Sequence, residues 1–247
     1  MAKIIKKTNG SKKSYRINQL MTVVSFLGFA IWCGICAFVM GVLQVVSIPL
    51  VIIFAVFMVA WICAGLYFKK RTEILKSGVE GEKIAGKALS KLSKDYTVIK
   101  NAVVTFEGKS SEIDLLVVGK NGITVVEAKN HKGIISGDIS DKIWKKTKRT
   151  AENEYTKKIQ NPVKQLSTQI YRLSGALKEN GVNVFIEGIV CFTDPEAELN
   201  VEGSKKGISF VSLADDKDRL ADRIESNKNY IDENVLAKIR ELFGEEE

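Results

Sequence analysis

Three acids and a lysine sit in a segment otherwise built for burial: Glu112-Ile113-Asp114-Leu115-Leu116-Val117-Val118, then Asn121-Gly122, then Ile123-Thr124-Val125-Val126-Glu127-Ala128-Lys129. Gathered at one spot, Asp114, Glu127 and Lys129 supply two carboxylates and an ammonium, the groups that hold a divalent cation and act on a phosphoryl centre. Strand pairing decides whether they gather. Asn-Gly between two β-branched runs predicts a two-residue type I′ hairpin loop, whose central residues both need φ > 0. That loop sets Lys120 against Ile123, Val118 against Val125, Leu116 against Glu127 and Asp114 against Lys129. Alternation then puts Asp114, Leu116 and Val118 on one face with Val125, Glu127 and Lys129. Glu127 lies diagonal to Asp114, roughly 7 Å away across the ladder.

The same charges also suit an ordinary ion pair on a solvated strand face. Leu116, Val118 and Val125 share the face, however, and argue that it is covered. A buried ionised carboxylate needs a cation or hydrogen bonds, and one lysine does not balance two acids. A divalent metal would.

Helices flank the hairpin on both sides. From Gly78 to Leu92, Glu82 shares a helical face with Ala85, Gly86 and Leu89 and so points inward, whereas Glu80 does not. Glu82 equally fits a first-turn acid answering the helix dipole. Asn161-Pro162 opens a second helix, Asn as N-cap and Pro at the first helical position, and Asn180-Gly181 closes it after Glu179. Leu166, Ile170, Leu173 and Leu177 form its buried stripe; Gln165, Gln169 and Arg172 line an adjacent face that a solvated polar surface also explains.

Asp114, followed on the next strand by Glu127-Ala128-Lys129, resembles the D…(D/E)xK core of the PD-(D/E)xK nuclease superfamily. With Gly78-Val79-Glu80-Gly81-Glu82 before it and Asn161-Pro162-Val163-Lys164-Gln165 after it, the order resembles the nuclease-related domain (NERD) family over roughly residues 76–195. The resemblance implies an α/β fold with a restriction-endonuclease-like αβββαβ core. It implies Mg²⁺ or Mn²⁺ held by Asp114, Glu127 and the Ala128 carbonyl, with Glu82 as an additional metal-directed acid. Lys129 would position or activate water, and Gln165 would contact substrate or water. The implied reaction is metal-dependent phosphodiester hydrolysis of DNA or RNA. The alternative is a non-catalytic module of the same fold that holds nucleic acid or a protein at a membrane. A lipid-surface scaffold is a third reading, and it leaves the hairpin acids unexplained.

Leu20 to Phe68 carries no charged residue. About 20 apolar residues cross a bilayer, so this run predicts two transmembrane helices, about 20–42 and 48–68, with Gln44, Ser47 and Pro49 at the turn. A cleaved signal peptide has a much shorter apolar core. Lys3, Lys6, Lys7, Lys12, Lys13 and Arg16 precede the first span, and Lys69, Lys70 and Arg71 follow the second, which places both termini in the cytoplasm of a multi-pass protein of the cell membrane. The first 71 residues hold nine Lys and Arg and no acid, leaving 28 basic and 29 acidic residues for the rest, so the net charge of +8 belongs to the membrane flanks. Locally, Lys129 to Lys164 holds ten basic residues against four acids, a stretch suited to a phosphate backbone or to plain solvation.

Four cysteines and one histidine limit the other chemistries. Cys33 and Cys36 have CxxC spacing inside an apolar span without a second pair, and Cys191 falls in a core strand as a small hydrophobe. His131 reads as a turn residue near the hairpin end. The chain therefore divides into a basic head (1–19), a membrane segment (20–71), a nuclease-related domain (72–214) and an acid-rich helical segment (215–247) ending in Glu245–Glu247. Strands are expected over 96–106, 111–129, 184–192 and 208–213, with a further one near Gly133–Gly137 and a lysine-rich connection through Trp144. A reporter fused to the C-terminus is expected to be active only in its cytoplasmic form; activity confined to the outside would contradict this topology.

Overall fold

The structure, a computed structural model, describes residues 1–6, 10–42, 44, 47–150, 153–214 and 216–244. Lys7 and the Glu245–Glu247 tail lie outside the described residues. The chain forms two units, one of Asn9–Val79 and one of Met1–Thr8 with Glu80–Glu247.

The smaller unit is a helical hairpin. Helix α1 (Gly10–Ala37), continued by a π-wound turn over Phe38–Val42, runs antiparallel to the first part of α2 (Ile48–Leu89). Both stretches are long and apolar enough to cross a membrane. Packing is set by small residues against rings: a Cβ on Gly28 would lie 2.6 Å from the Trp61 ring, and Trp32 meets Phe54 edge-on and Phe57 at a tilt while its indole N–H donates to the Phe54 carbonyl at 3.2 Å. Helix α2 runs without a break through Thr72–Lys76, where no proline interrupts it, and continues to Leu89.

The larger unit is mixed α/β. A six-stranded sheet has the order β1 (Lys3–Lys6), β2 (Thr97–Phe106), β3 (Lys109–Gly119), β4 (Gly122–Lys129), β8 (Ile186–Phe192), β10 (Ile208–Ser212). Strands β2, β3 and β4 are antiparallel; β8 joins β4 in parallel and is central, as its apolar run requires. A second sheet of four strands has the order β7 (Glu154–Gln160), β6 (Ile143–Arg149), β5 (Gly133–Asp138), β9 (Ala197–Glu202). The expected α, β, β, β, α, β order is thus present with three strands inserted before α3 (Pro162–Glu179). The lysine-rich stretch is a β-hairpin, not a loose connection, and Lys3–Lys6 of the basic head pairs in parallel with β2.

Both faces of the large sheet are covered. On one side Leu116, Val118, Val125 and Val190 pack with Leu166 and Leu173 of α3, Trp144 and Ile135 of the second sheet, and Leu236, Ile239 and Phe243 of α5 (Glu233–Gly244). In α5 Phe243 turns inward with Leu236 and Ile239, and Leu242 is exposed. On the other side Leu115, Val117, Val126 and Cys191 meet Ala85, Leu89 and Leu92 from the end of α2 and Leu220 and Ile224 of α4 (Arg219–Glu225). Burial pushes the Cys191 thiol up to about 12, in keeping with an inert core residue.

Helix α3 is held where the sequence says it starts and stops. Asn161 accepts from the Val163 N–H at 2.8 Å, and its amide donates to the Ile139 and Asp141 carbonyls, tying the helix start to the turn that follows β5. Gly181, at φ 70, ends it. Leu166 is fully buried beneath this helix and lies over Gly188 of β8, where an added Cβ would stand 2.9 Å from it. Leu166→Ala is expected to cost about 2–5 kcal/mol, read as a lowered unfolding temperature of the detergent-solubilised chain; an unchanged transition would show that α3 is not anchored through this contact.

Candidate active site

The hairpin register differs from expectation by one residue on each strand. Gly119 pairs with Gly122, Val118 with Ile123, Leu116 with Val125 and Leu115 with Val126, so Lys120 and Asn121 form the loop. Neither loop residue takes positive φ; Gly122 does, at 132°. A turn of ordinary hand followed by a positive-φ glycine closes the hairpin in place of the type I′ turn. The C-terminal segment holds it there: Asn121 donates to the Glu225 carbonyl at 2.8 Å, and the Ile231 N–H to the Lys120 carbonyl at 2.9 Å. Because both strands slip together, side-chain parity survives and the three residues keep a common face. Their relation changes: the register, extended one step beyond its last pair Leu115–Val126, sets Asp114 against Glu127 and not against Lys129.

The sheet is distorted where the two acids meet. Ladder pairing between β3 and β4 ends at Leu115–Val126, and Asp114 accepts the Ala128 N–H at 3.0 Å with its side chain instead. On its other side the β2–β3 ladder skips Asn101, which stands opposite Asp114 at φ 57. Asparagine tolerates that left-handed conformation better than most residues. Buried Asn101 donates to Glu82 of α2 at 3.4 Å. The last turns of α2 come close because residue 81 is glycine: a Cβ there would lie 3.0 Å from Asn130 and 3.1 Å from the Thr193 hydroxyl.

Glu127 is the most enclosed acid among the described residues, at 1% exposure. Lys129 donates to its Oε1 at 2.6 Å and Gln169 of α3 to its Oε2 at 2.7 Å, so both oxygens are engaged. Gln169 also donates to the Glu112 carbonyl at 3.1 Å, and its own carbonyl oxygen is buried without a partner among the described residues. Lys129 further donates to Oε1 of exposed Gln165 at 2.9 Å. Arg172, next along that face, bonds the Ser110 carbonyl at 2.9 Å and the Ser111 hydroxyl.

Electrostatics follow from this crowding. Burial, then the Glu127 carboxylate and more weakly Glu82, raise Asp114 well above the usual carboxylate range, against the Ala128 N–H and Lys129. His131, just past β4, is pushed down to about 4 by burial and by Lys146 and Lys129, and is therefore neutral at pH 7. Asp114, Glu127, Lys129 and Gln165 are thus brought together, and Glu82 stands behind Asn101. Among the described residues no three His, Cys, Asp or Glu side chains form a ready metal-binding group. Sequence spacing gave Gln169 no more weight than a solvated residue and did not single out Asn101; an asparagine inside a strand was the available signal for the latter.

Residues 77–193 match the family model of NERD, the nuclease-related domain. The chain carries a nuclease-related domain. That stretch begins in the last turns of α2, contains Glu82, Asp114, Glu127, Lys129 and Gln165, and ends just after β8. An uncharacterized protein of Bacillus anthracis is 41% identical over 69 residues, which is 27% of this chain and 32% of the relative, so the chain spans about a third of the length of that curated protein. No solved structure matches the chain.

The raised Asp114 pKa makes a signed prediction for the nuclease-related domain. Below the unfolded value of 3.8 the carboxyl is protonated in both states; above it the unfolded chain ionises first, so Asp114's contribution to stability is lost as pH rises through its folded pKa. Asp114→Asn keeps an acceptor for Ala128 and removes the charge. In metal-free buffer it is expected to unfold at a higher temperature than the wild type at neutral pH, with the gain vanishing toward pH 4; parallel pH profiles would contradict the placement of the two acids.

Proposed function

We propose that this protein is a membrane-anchored nuclease that hydrolyses phosphodiester bonds of DNA or RNA with Mg²⁺ or Mn²⁺, using a restriction-endonuclease-like core. The observation that carries this reading is the gathering of Asp114, bonded to the Ala128 N–H, with Glu127 and its partner Lys129 within a nuclease-related domain. The two apolar helices support the anchor, and the basic flanks support termini on the cytoplasmic side.

The residues fit a divalent ion by their chemistry. Two hard carboxylates in poor contact with water, one of them driven toward its protonated form by burial and then by the other, make a site that Lys129 alone does not balance when both are ionised. Mg²⁺ is ordinarily held by one or two carboxylates and waters, so a third acid in contact is not required. Asp114 and Glu127 would hold it, with Glu82 behind them. Bound there, the ion supplies Lewis acidity toward a phosphoryl oxygen and a more acidic water.

The chain's own residues do the rest. Gln169 fixes the Glu127 carboxylate through Oε2 and leaves Oε1 toward Lys129. Lys129 is shared between Glu127 and Gln165, which holds the ammonium at the half-exposed edge of the site, where it stabilises negative charge on the phosphoryl group or orients the attacking water. Gln165, exposed, is free to turn its amide toward substrate. Neutral His131 adds no charge near the reacting group.

The test is cleavage of a mixed DNA and RNA panel by the detergent-solubilised chain with Mg²⁺ or Mn²⁺. Asp114→Asn and Lys129→Ala are each expected to lower kcat by about a hundredfold or more. Undiminished cleavage in both variants would rule out this site. Metal-insensitive binding without cleavage would leave a non-catalytic module.

A further inference from the structure

The β6–β7 hairpin carries more positive charge than its pairing favours. It sets Lys145 opposite Lys158 and Lys146 opposite Lys157, and like charges directly opposed weaken a ladder. Arg149 is balanced by Glu154 at 2.9 Å. Among the described residues none of Lys145, Lys146, Lys148, Lys157 and Lys158 is in an ion pair.

Period two sorts these cations by face. Lys146 and Lys148 share one face with their partners Lys157 and Tyr155, and with Trp144 and Ile159 farther down the hairpin in the core. Lys145, Thr147 and Arg149 share the opposite face with Lys158, Thr156 and Glu154. The first face belongs to the neighbourhood of the candidate site. Gly133, two residues after His131, packs against the backbone of Thr147 and Lys148, and His131 feels Lys146, Lys129 and Lys157 together. The cations therefore lie at two levels of this face, Lys148 beside Tyr155 near the hairpin tip and Lys146 beside Lys157 one step inward, with His131 and Lys129 in the electrostatic reach of the second pair. Same-face positions on a strand recur about every 6.8 Å, which makes this a narrow track one chain wide. At its outer end Tyr155 is 64% exposed, a large ring set among lysines.

We propose that this face of the β6–β7 hairpin is a binding track for single-stranded nucleic acid, with Lys146, Lys148 and Lys157 on successive phosphates and Tyr155 stacked on a base. The inference deepens the nuclease reading and rests on it for the polarity of the track toward Lys129. Lysines alone would serve a duplex equally well. The exposed aromatic decides for a single strand, because its bases are open to stacking whereas those of a duplex are stacked on one another. DNA and RNA strands offer the same phosphate and base-face chemistry.

The test measures binding separately from cleavage, with the full chain in detergent, EDTA present, and labelled single-stranded DNA, single-stranded RNA and duplex DNA of one sequence. Both single strands are expected to bind more tightly than the duplex. Lys146→Gln with Lys157→Gln should weaken single-strand binding tenfold or more and flatten the salt dependence by roughly 1.4 in log–log slope, the share of two phosphates. Lys145→Gln with Lys158→Gln removes the same charge from the other face and should cost less than about threefold. Tyr155→Ala should weaken single-strand binding about fivefold or more and leave duplex binding unchanged. Lys146→Arg with Lys157→Arg should retain binding. Equal losses from the two faces, or a preference for duplex, would overturn the track. If the chain cleaves nucleic acid but the Lys146/Lys157 variant binds normally, the track fails and the nuclease reading stands. If binding follows this pattern and cleavage is absent, the nuclease reading fails and the track stands.

Discussion

Two carboxylates gathered from neighbouring antiparallel strands, in a spot that water reaches poorly, are the constraint on which the rest of the site depends. An isolated pair of this kind is unfavourable, and each neighbour answers it. Lys129 and Gln169 occupy both oxygens of Glu127, and the Ala128 N–H serves Asp114. Those bonds are made at the cost of the β-ladder itself, which lapses at Asp114 on both sides. Strain of this local kind belongs where charge must be held in a fixed place.

The surrounding elements make sense as supports for that spot. Helix α3 delivers Gln165 and Gln169 one turn apart, and its start is fixed by Asn161, whose amide also ties down the turn that follows β5. Gly81 lets the end of α2 approach the strand ends closely enough for Glu82 to bond Asn101. Burial and then the Glu127 carboxylate drive Asp114 toward its neutral form, while burial and then Lys146 and Lys129 hold His131 neutral a few residues along the chain. Burial disfavours charge on both groups, raising the acid and lowering the base, and a like-charged neighbour adds to each shift.

Much of this was legible in the sequence because it is local. Alternating apolar residues fixed which side chains share a face, and that survived the register slip because the face depends only on parity. Asn161-Pro162 and Asn180-Gly181 marked α3 to the residue. Register itself was not legible: it depended on whether the positive φ fell within the turn or on Gly122 just after it, and contacts from Asn121 and Ile231, remote in sequence, favour the second. Strands β6 and β7 were hidden because Lys145-Lys146-Thr147-Lys148-Arg149 has no apolar alternation; pairing and the burial of Trp144 make them strands. Strand β1 pairs with residues far along the chain, beyond any short-range pattern. Gln169 lies on a polar helix face that reads as solvated until Glu127 is seen against it.

The central claim is that Asp114 and Glu127 form one cation-seeking site. It is tested most directly by electron paramagnetic resonance of Mn²⁺ titrated into the detergent-solubilised chain. The account predicts one bound Mn²⁺ per chain, lost in both Asp114→Asn and Glu127→Gln and retained in Glu80→Gln, whose side chain is exposed. Mn²⁺ binding that persists with both carboxylates replaced, or no binding by the unaltered chain, would contradict it.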